Sequence, residues 1–297
     1  MRFIAVLLAS ASLVAQSPAQ VQQTLANPPG TDIYLARLLP SGGLDMAVNI
    51  TAREGYDNQP SFTPDGTSIL YTRRDGPQSD VYTWEFGARG SAPRRVTNTP
   101  ESEYSPRVTP DGTGISVIRV EADGAQRLWR FALDGTAPAL VLKDVKPVGY
   151  HAWGDDGQLA LFVLGTPNSL QLADARTGKA TIVARGIGRS LHRTPGRATF
   201  SVVHGEGAER WIKELDPKTK KLTPLVRTLD SADADYAWTP DGAILAATKD
   251  DVLMRWTPGG AWTKVADLGA EGLTNVTRLA VSPDGRWLAI VANDHGR

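Results

Sequence analysis

The side chains in this sequence that could carry acid–base or metal chemistry are its histidines and a few clustered aspartates. An imidazole can transfer a proton near neutral pH or bind a divalent metal. No Gly-x-Ser-x-Gly nucleophile elbow, His-Glu-x-x-His zinc helix or Walker loop occurs. Any chemistry would therefore depend on residues that the fold brings together. The four histidines are His151, His192, His204 and His295.

Asp230, Asp233 and Asp235 loosely resemble a calcium-binding loop. Such loops place oxygen ligands at alternate positions around a glycine turn, and neither the spacing nor the glycine matches here. A solvated acidic turn explains the same three residues. The aspartates alone therefore do not predict a calcium site.

The composition excludes several classes of protein. The chain has 297 residues with 32 Lys and Arg against 32 Asp and Glu, so its formal net charge is zero. Proteins that bind nucleic acid through bulk charge need a basic surplus, and this chain has none. The absence of cysteine excludes a disulfide framework, a cysteine-ligated zinc and a lipid anchor at a cleavage-site thiol.

The N-terminus has the pattern of a secretory signal peptide. Met1 and Arg2 precede an apolar run that begins at residue 3 and ends near residue 14, and small residues follow at Ser17 and Ala19. We expect cleavage after Ala19 and a periplasmic or secreted protein. An uncleaved membrane anchor is the alternative. No second apolar segment follows, so the sequence predicts no integral membrane segment in the mature chain.

A repeated turn divides the rest of the chain into six units. Thr-Pro-Asp-Gly occurs at 63–66, 109–112 and 239–242, and Ser-Pro-Asp-Gly occurs at 282–285. Weaker copies are Gly-Asp-Asp-Gly at 154–157 and Thr-Pro-Gly at 194–196. Proline presets the second position of such a turn, and glycine accepts the left-handed backbone at its end.

Each turn is followed by an apolar β-rich run, such as residues 68–72 or 287–291, and then by two further strand-like segments. Four strands repeated at intervals of 39 to 46 residues are typical of propeller blades. We therefore predict an all-β, six-bladed β-propeller with four-stranded antiparallel blades. Two separate β domains are the alternative, but no linker interrupts the period.

The two ends of the chain are predicted to complete one blade together. Residues 276–293 contain only the first two strands of the last unit, and residues 31–51 contain two strands without a preceding turn. Their pairing would remove the open sheet edge. The predicted organisation is a signal peptide at 1–19, a short N-terminal extension at 20–30 and one propeller at 31–297.

In a propeller, the segments that enter the innermost strands surround one end of the central channel, where loops collect ligand contacts. Counting back from each turn glycine predicts a polar rim suited to a protein, peptide or sugar, although plain solvation of the face explains it as well. The predicted rim residues are Asp57, Asn58, Gln59, Glu103, Tyr104, Tyr150, His151, Arg189, Ser190, Asp233, Asp235, Tyr236, Asn275 and Arg278. Four positions before the glycine lie Phe62, Val108, Trp153, Trp238 and Val281, which we interpret as core between blades.

The Pro-Asp-Gly turn ahead of an apolar strand, followed by Asp-Val-Tyr at 80–82 or Asp-Ile-Tyr at 32–34, resembles the WD-like repeat of the TolB-type propeller superfamily. The resemblance covers residues 31–293 and implies the fold. The superfamily includes the periplasmic TolB protein of the Tol-Pal envelope system, the propeller halves of prolyl-oligopeptidase-like peptidases and some polysaccharide lyases. TolB itself carries an additional N-terminal α/β domain, which the extension at 20–30 does not match.

Two functions follow as expectations. The first is an exported, non-catalytic and monomeric binding scaffold that recognises a protein, peptide or envelope component at the channel rim, without a cofactor. The alternative is a hydrolase or lyase acting on peptide or glycan. In that case His151, His192 and rim carboxylates would surround a divalent cation bound in the channel. Otherwise the two histidines are hydrogen-bonded residues at the contacts between blades.

Overall fold

The computed structural model describes residues 28–87, 92–206, 209–229 and 235–294. They form 24 strands in six four-stranded antiparallel sheets, which are the blades of a β-propeller. No helix occurs among the described residues, and so none of them could cross a membrane as a helix. The predicted fold is confirmed.

The blades are numbered along the chain, and each is given from the channel outward. Blade 1 contains β3 (Asp57–Phe62), β4 (Ser68–Asp75), β5 (Gln78–Glu85) and β6 (Arg94–Arg95). Blade 2 contains β7 (Ser102–Val108), β8 (Gly114–Val120), β9 (Gln126–Ala132) and β10 (Ala139–Leu140). Blade 3 contains β11 (Val148–Trp153), β12 (Gln158–Val163), β13 (Ser169–Asp174) and β14 (Ala180–Arg185).

The second half of the chain repeats this arrangement. Blade 4 contains β15 (Ile187–Arg193), β16 (Phe200–Glu206), β17 (Glu209–Leu215) and β18 (Leu222–Arg227). Blade 5 contains β19 (Tyr236–Trp238), β20 (Ile244–Ala247), β21 (Val252–Trp256) and β22 (Thr263–Asp267). Blade 6 contains β23 (Arg278–Val281), β24 (Trp287–Asn293), β1 (Thr31–Arg37) and β2 (Val48–Asn49).

The chain closes as the sequence predicts, because β1 pairs with β24 along its whole length. The antiparallel register extends from Thr31 opposite Asn293 to Arg37 opposite Trp287. The last blade therefore takes its two inner strands from the C-terminal part of the chain and its two outer strands from the N-terminal part. This pairing satisfies the backbone donors and acceptors that an open ring would leave unpaired.

The hydrophobic core lies between the blades. Six clusters of buried side chains occur among the described residues, one at each junction between neighbouring blades. On β24, Leu288 and Ile290 pack toward blade 5, whereas Ala289 and Val291 pack toward blade 1. Successive side chains of a strand point to opposite faces, so a strand covered on both faces is apolar throughout. This explains the uninterrupted apolar runs in the sequence.

The four Pro-Asp-Gly turns share one hydrogen-bond pattern. In the first, the Gly66 amide donates to the Thr63 carbonyl over 2.8 Å, and the Thr63 hydroxyl donates to the Asp65 carboxylate over 2.6 Å. Gly66 has a φ of 68°, in the left-handed region that glycine favours. The turns fix the point at which each innermost strand ends, and together they form one face of the propeller, called here the turn face.

Candidate functional site

The innermost strands of all six blades surround a narrow cavity on the propeller axis, called here the channel cavity. Its volume is about 50 Å³, and all six blades contribute lining residues. Polar and charged side chains dominate the lining. They are Gln59, Ser61, Ser105, Arg107, Tyr150, His151, Arg189, Ser190, His192, Asp235 and Arg278.

A second and wider recess, called here the turn-face funnel, has a volume of about 430 Å³ at the end of the channel where the Pro-Asp-Gly turns lie. It shares Pro60, Arg107 and His192 with the channel cavity, so the two recesses meet at these residues. Most of the lining residues are apolar, among them Phe62, Trp238, Val281, Pro195, Pro240 and Pro283. The polar lining residues are Ser61, Arg107, His192, Arg193 and Ser282. An apolar, concave wall with a few polar groups at its base is typical of ligand sites.

Two arginines of the channel cavity are partly held by neighbours. The Arg278 guanidinium donates to the Tyr150 hydroxyl over 2.9 Å and lies 5.0 Å from the centre of that ring. Burial opposes its charge, but Tyr150 and Asp235 raise the pKa of Arg278 above its usual range. Arg189 donates from Nη2 to the Thr277 carbonyl over 2.9 Å, while its buried Nε has no partner among the described residues.

Arg107 differs from the other two arginines because its guanidinium makes no hydrogen bond or ion pair with any described residue. Burial lowers the pKa of Arg107, and the positive charge of Arg278 lowers it further, while Asp235 partly offsets both effects. The side chain lines both the channel cavity and the funnel. Arg107 is therefore a cation at the junction of the two recesses with unused donors.

Asp235, Ser190 and His192 form a connected polar group. The Ser190 hydroxyl donates to Asp235 Oδ1 over 2.6 Å, and Asp235 Oδ2 accepts from the Leu279 amide over 2.9 Å. His192 Nε2 lies 3.3 Å from Ser190 Oγ. Burial, and secondarily Arg107, lower the pKa of His192 to about 4, so this imidazole is neutral at pH 7. In a Ser-His-Asp triad the histidine stands between the other two, whereas here the serine does.

His151 is fixed at the junction between blades 2 and 3. Its Nε2 lies 2.8 Å from Ser116 Oγ, and the Trp153 indole also donates to Ser116 over 2.8 Å. Burial, and secondarily Arg107, lower the pKa of His151 to about 3, so it is neutral at pH 7. Within the described ranges, no three His, Cys, Asp or Glu side chains are grouped so that they could hold a metal ion.

The structure places the predicted rim residues in two environments. Five of the residues predicted as ligand-contacting line the channel cavity, and these are Tyr150, His151, Arg189, Asp235 and Arg278. Gln59 and Ser190 also line it. Asp233 and His295 lie outside the described residues.

The other predicted rim residues do not line the channel cavity. Asp57, Asn58, Glu103 and Tyr236 are buried within or between blades, and Tyr104 packs against the core between blades 2 and 3. Asn275 is exposed, and its side-chain amide donates to Asn293 Oδ1 over 2.9 Å. These side chains lie away from the channel cavity, and their role as ligand contacts stays a prediction. Irregular pairing between Asn58 and Ser61, and again between Tyr104 and Arg107, turns the earlier side chains away from the axis.

Residues that the sequence analysis missed stand nearer the turn face. Arg107 lies three residues beyond the predicted Tyr104, after the irregular pairing that separates these two residues. The turn spacing does not reveal that irregularity, so it could not place Arg107 at the channel. Phe62, Trp238 and Val281 do pack against the core as predicted, but each also lines the funnel.

Asp57 is expected to make stability depend on pH. Its carboxylate is fully buried 2.9 Å from Arg53, and burial raises its pKa to about 7, although Arg53 partly offsets that effect. The folded chain then holds a proton that the unfolded chain releases above about pH 4, so this residue's contribution to stability falls as the pH rises toward 7. We expect Asp57→Asn to raise the free energy of unfolding by about 1–3 kcal/mol near pH 8 and by almost nothing near pH 4.

Urea unfolding across this pH range measures the effect, and Asp75→Asn is the control. Asp75 interacts with the same arginines, but hydrogen bonds from Tyr82 and Arg73 outweigh its partial burial and lower its pKa. Asp75→Asn should therefore lower the free energy of unfolding at neutral pH. This loss should shrink in acid, where the wild-type Asp75 is protonated as well. If the effect of Asp57→Asn on the free energy of unfolding does not change with pH, the raised pKa of Asp57 is contradicted.

Comparison with solved structures identifies the fold. The chain is similar to the structure of putative TolB from Agrobacterium tumefaciens, with a TM-score of 0.69 and 16% identity over 89% of this chain and 98% of that one. It is also similar to TolB from Acinetobacter baumannii, with a TM-score of 0.56 and 15% identity over 94% of this chain and 68% of that one. The fold is therefore a TolB-like propeller.

Another similar structure is an oligogalacturonate lyase in complex with manganese, with a TM-score of 0.58 and 15% identity over 84% of this chain and 80% of that one. No family model matches the sequence, and no curated protein does either. At such low identity the likeness concerns the fold alone.

Proposed function

We propose that this TolB-like propeller is an exported, non-catalytic binding protein that holds a protein, peptide or envelope component at its central channel. The observation that carries the proposal is the continuous recess formed by the turn-face funnel and the channel cavity. Rigid strands from all six blades build this recess, so its side chains are held in place before a ligand arrives.

The state of the polar side chains supports binding over catalysis. His151 and His192 are both neutral at pH 7, because their pKa values are about 3 and 4. Efficient general acids and bases have pKa values near the working pH. Both oxygens of Asp235 already accept hydrogen bonds, from Ser190 and from the Leu279 amide. These groups are suited to stabilising the channel walls through hydrogen bonds and to donating hydrogen bonds to a ligand.

The N-terminal pattern supports export to the periplasm or beyond, as a signal peptide ending at Ala19 would direct. The zero net charge supports a partner other than nucleic acid. We propose that the mature chain, residues 20–297, acts as a monomer and needs no cofactor.

A hydrolase or lyase acting on peptide or glycan is the second candidate. The contacts among His192, Ser190 and Asp235 favour it, because they bring an imidazole, a hydroxyl and a carboxylate together inside the channel. The likeness to an oligogalacturonate lyase in complex with manganese favours a glycan over a peptide as the substrate in this second candidate function. Metal-dependent turnover of an oligogalacturonate or peptide by the purified chain, lost in His192→Ala, would support it.

The test is a pull-down with two variants of the mature chain, one substituted inside the funnel and one substituted at the equivalent turn position outside it. Pro283 is exposed and lines the funnel, and Pro110 occupies the same position of the turn in blade 2 without lining the funnel. We expect the mature chain to capture a component from envelope extract, Pro110→Trp to capture it equally, and Pro283→Trp to lose it. Calorimetry with the purified component should reproduce this order. Equal binding by both variants would contradict the proposed site.

A further inference from the structure

We propose that the junction of the channel cavity and the turn-face funnel binds the terminal carboxylate of an apolar peptide segment, with Arg107 as the principal anchor. This inference rests on the proposed binding function and specifies its ligand. The peptide would enter through the funnel with its last apolar side chains against the funnel wall. Its carboxylate would meet the guanidinium groups at the base.

The charge balance of the channel cavity favours an anion. Among its described lining residues, three are cationic, namely Arg107, Arg189 and Arg278, and only Asp235 is anionic. Asp235 is already used, since one oxygen accepts from Ser190 and the other from the Leu279 amide. The two histidines of the cavity add donor groups and no negative charge. The cavity therefore has more positive charge and more donors than its own acceptors satisfy.

Among the cationic side chains of the channel cavity, Arg107 would gain most from a bound anion. Arg107 is half-buried and has lost part of its contact with water, and a bound anion offsets that cost. Its guanidinium makes no hydrogen bond or ion pair with a described residue. Asp235 acts on its charge from nearby but accepts from Ser190 and the Leu279 amide instead, and Arg278 adds like charge. The planar fork of a guanidinium matches the two oxygens of a carboxylate. The unpartnered Nε of Arg189 is a second donor in the same cavity.

The funnel wall favours a peptide over a saccharide. Phe62, Trp238, Val281 and Pro283 present apolar surface, and the Trp238 indole N–H is already donated to Ser201 over 2.8 Å. The hydroxyl of Ser282 is also used, because it donates to Asp284 over 2.6 Å. Arg193 also lines the funnel, but its guanidinium is paired with Asp155 over 2.6 Å. A sugar would therefore find few free partners for its hydroxyl groups on this wall. Apolar peptide side chains bury there without that cost.

The test compares two forms of one probe. An N-acetylated Leu-Phe-Leu tripeptide with a free C-terminal carboxylate is titrated into the mature chain by calorimetry, and its C-terminal amide serves as the matched ligand. We expect the acid to bind at least about tenfold more tightly than the amide. Arg107→Gln should weaken binding of the acid by about tenfold or more and leave the amide unaffected. Arg176→Gln, on an exposed turn of blade 3, should bind both ligands as the wild type does.

Other outcomes decide against the inference. Equal binding of acid and amide, or full binding of the acid by Arg107→Gln, would overturn it. Inorganic phosphate and galacturonic acid serve as competitors, and binding of either without binding of the peptide acid would overturn the peptide assignment. If Arg107→Gln does not fold, Arg107→Lys keeps the charge, loses the fork and should still weaken the acid selectively.

The failure of this inference can be distinguished from failure of the proposed function. If capture of an envelope component depends on Pro283 while acid and amide bind alike, the funnel is a binding site with a different ligand. If capture does not respond to Pro283→Trp, the proposed function itself fails.

Discussion

A chain that lacks residues 28–37 is expected not to fold cooperatively. This deletion removes β1, which pairs with β24 over seven residues and supplies Ile33, Leu35, Tyr34 and Ala36 to the cores on both sides of blade 6. The remaining ring would expose the edge of β24 and two apolar junctions at once. Open edges with apolar side chains promote aggregation. Circular dichroism and size-exclusion chromatography of the purified fragment measure the result.

A graded version uses Ile33→Ala, which removes a fully buried side chain from the core between blades 6 and 1. We expect a loss of about 2–5 kcal/mol in the free energy of unfolding, measured by urea titration. Val48→Ala is the control, because Val48 lies on the adjacent β2 and is 58% exposed. If the deleted chain is native-like and the two substitutions have equal effects, the ring does not depend on the pairing of β1 with β24.

Ser116→Ala is expected to destabilise the propeller by about 2–4 kcal/mol, although it removes a single oxygen atom. Ser116 lies on β8, is fully buried, and contacts His151 Nε2 and the Trp153 indole of the next blade, each over 2.8 Å. Its hydroxyl also reaches the Arg107 carbonyl over 3.2 Å. The substitution would leave an imidazole and an indole buried without their partner, and desolvated polar groups are costly when unpaired.

The matched control is Ser79→Ala. Ser79 is also almost fully buried, but its hydroxyl has no partner among the described residues. Removing it should change the free energy of unfolding by less than about 0.5 kcal/mol. Ser201 makes equivalent contacts at the junction of blades 4 and 5, with the Tyr236 hydroxyl and the Trp238 indole, each over 2.8 Å. Similar losses for Ser116→Ala and Ser79→Ala would mean that buried polar contacts add little to the junctions.

Much of the candidate site could be predicted from the position of each residue relative to its turn. Tyr150 and Arg278 both stand seven residues before the turn glycine, and the structure places both at the channel cavity. Asp57 and Glu103 stand two positions earlier and are buried instead. Their partners, Arg53 for Asp57 and Thr99 and Arg119 for Glu103, come from neighbouring segments that the turn spacing does not describe.

The sequence by itself determined the architecture. Pro-Asp-Gly turns fix the ends of the innermost strands locally, and apolar runs covered on both faces require neighbouring blades, so six repeats with complementary ends specify a closed ring. Only the tertiary structure decided which side chains share the channel. Arg107 and Asp235 are 128 residues apart in the chain, and each meets the axis because of irregular strand pairing and contacts across blades. Turn geometry is local, whereas the convergence of charge on the axis depends on how all six blades pack.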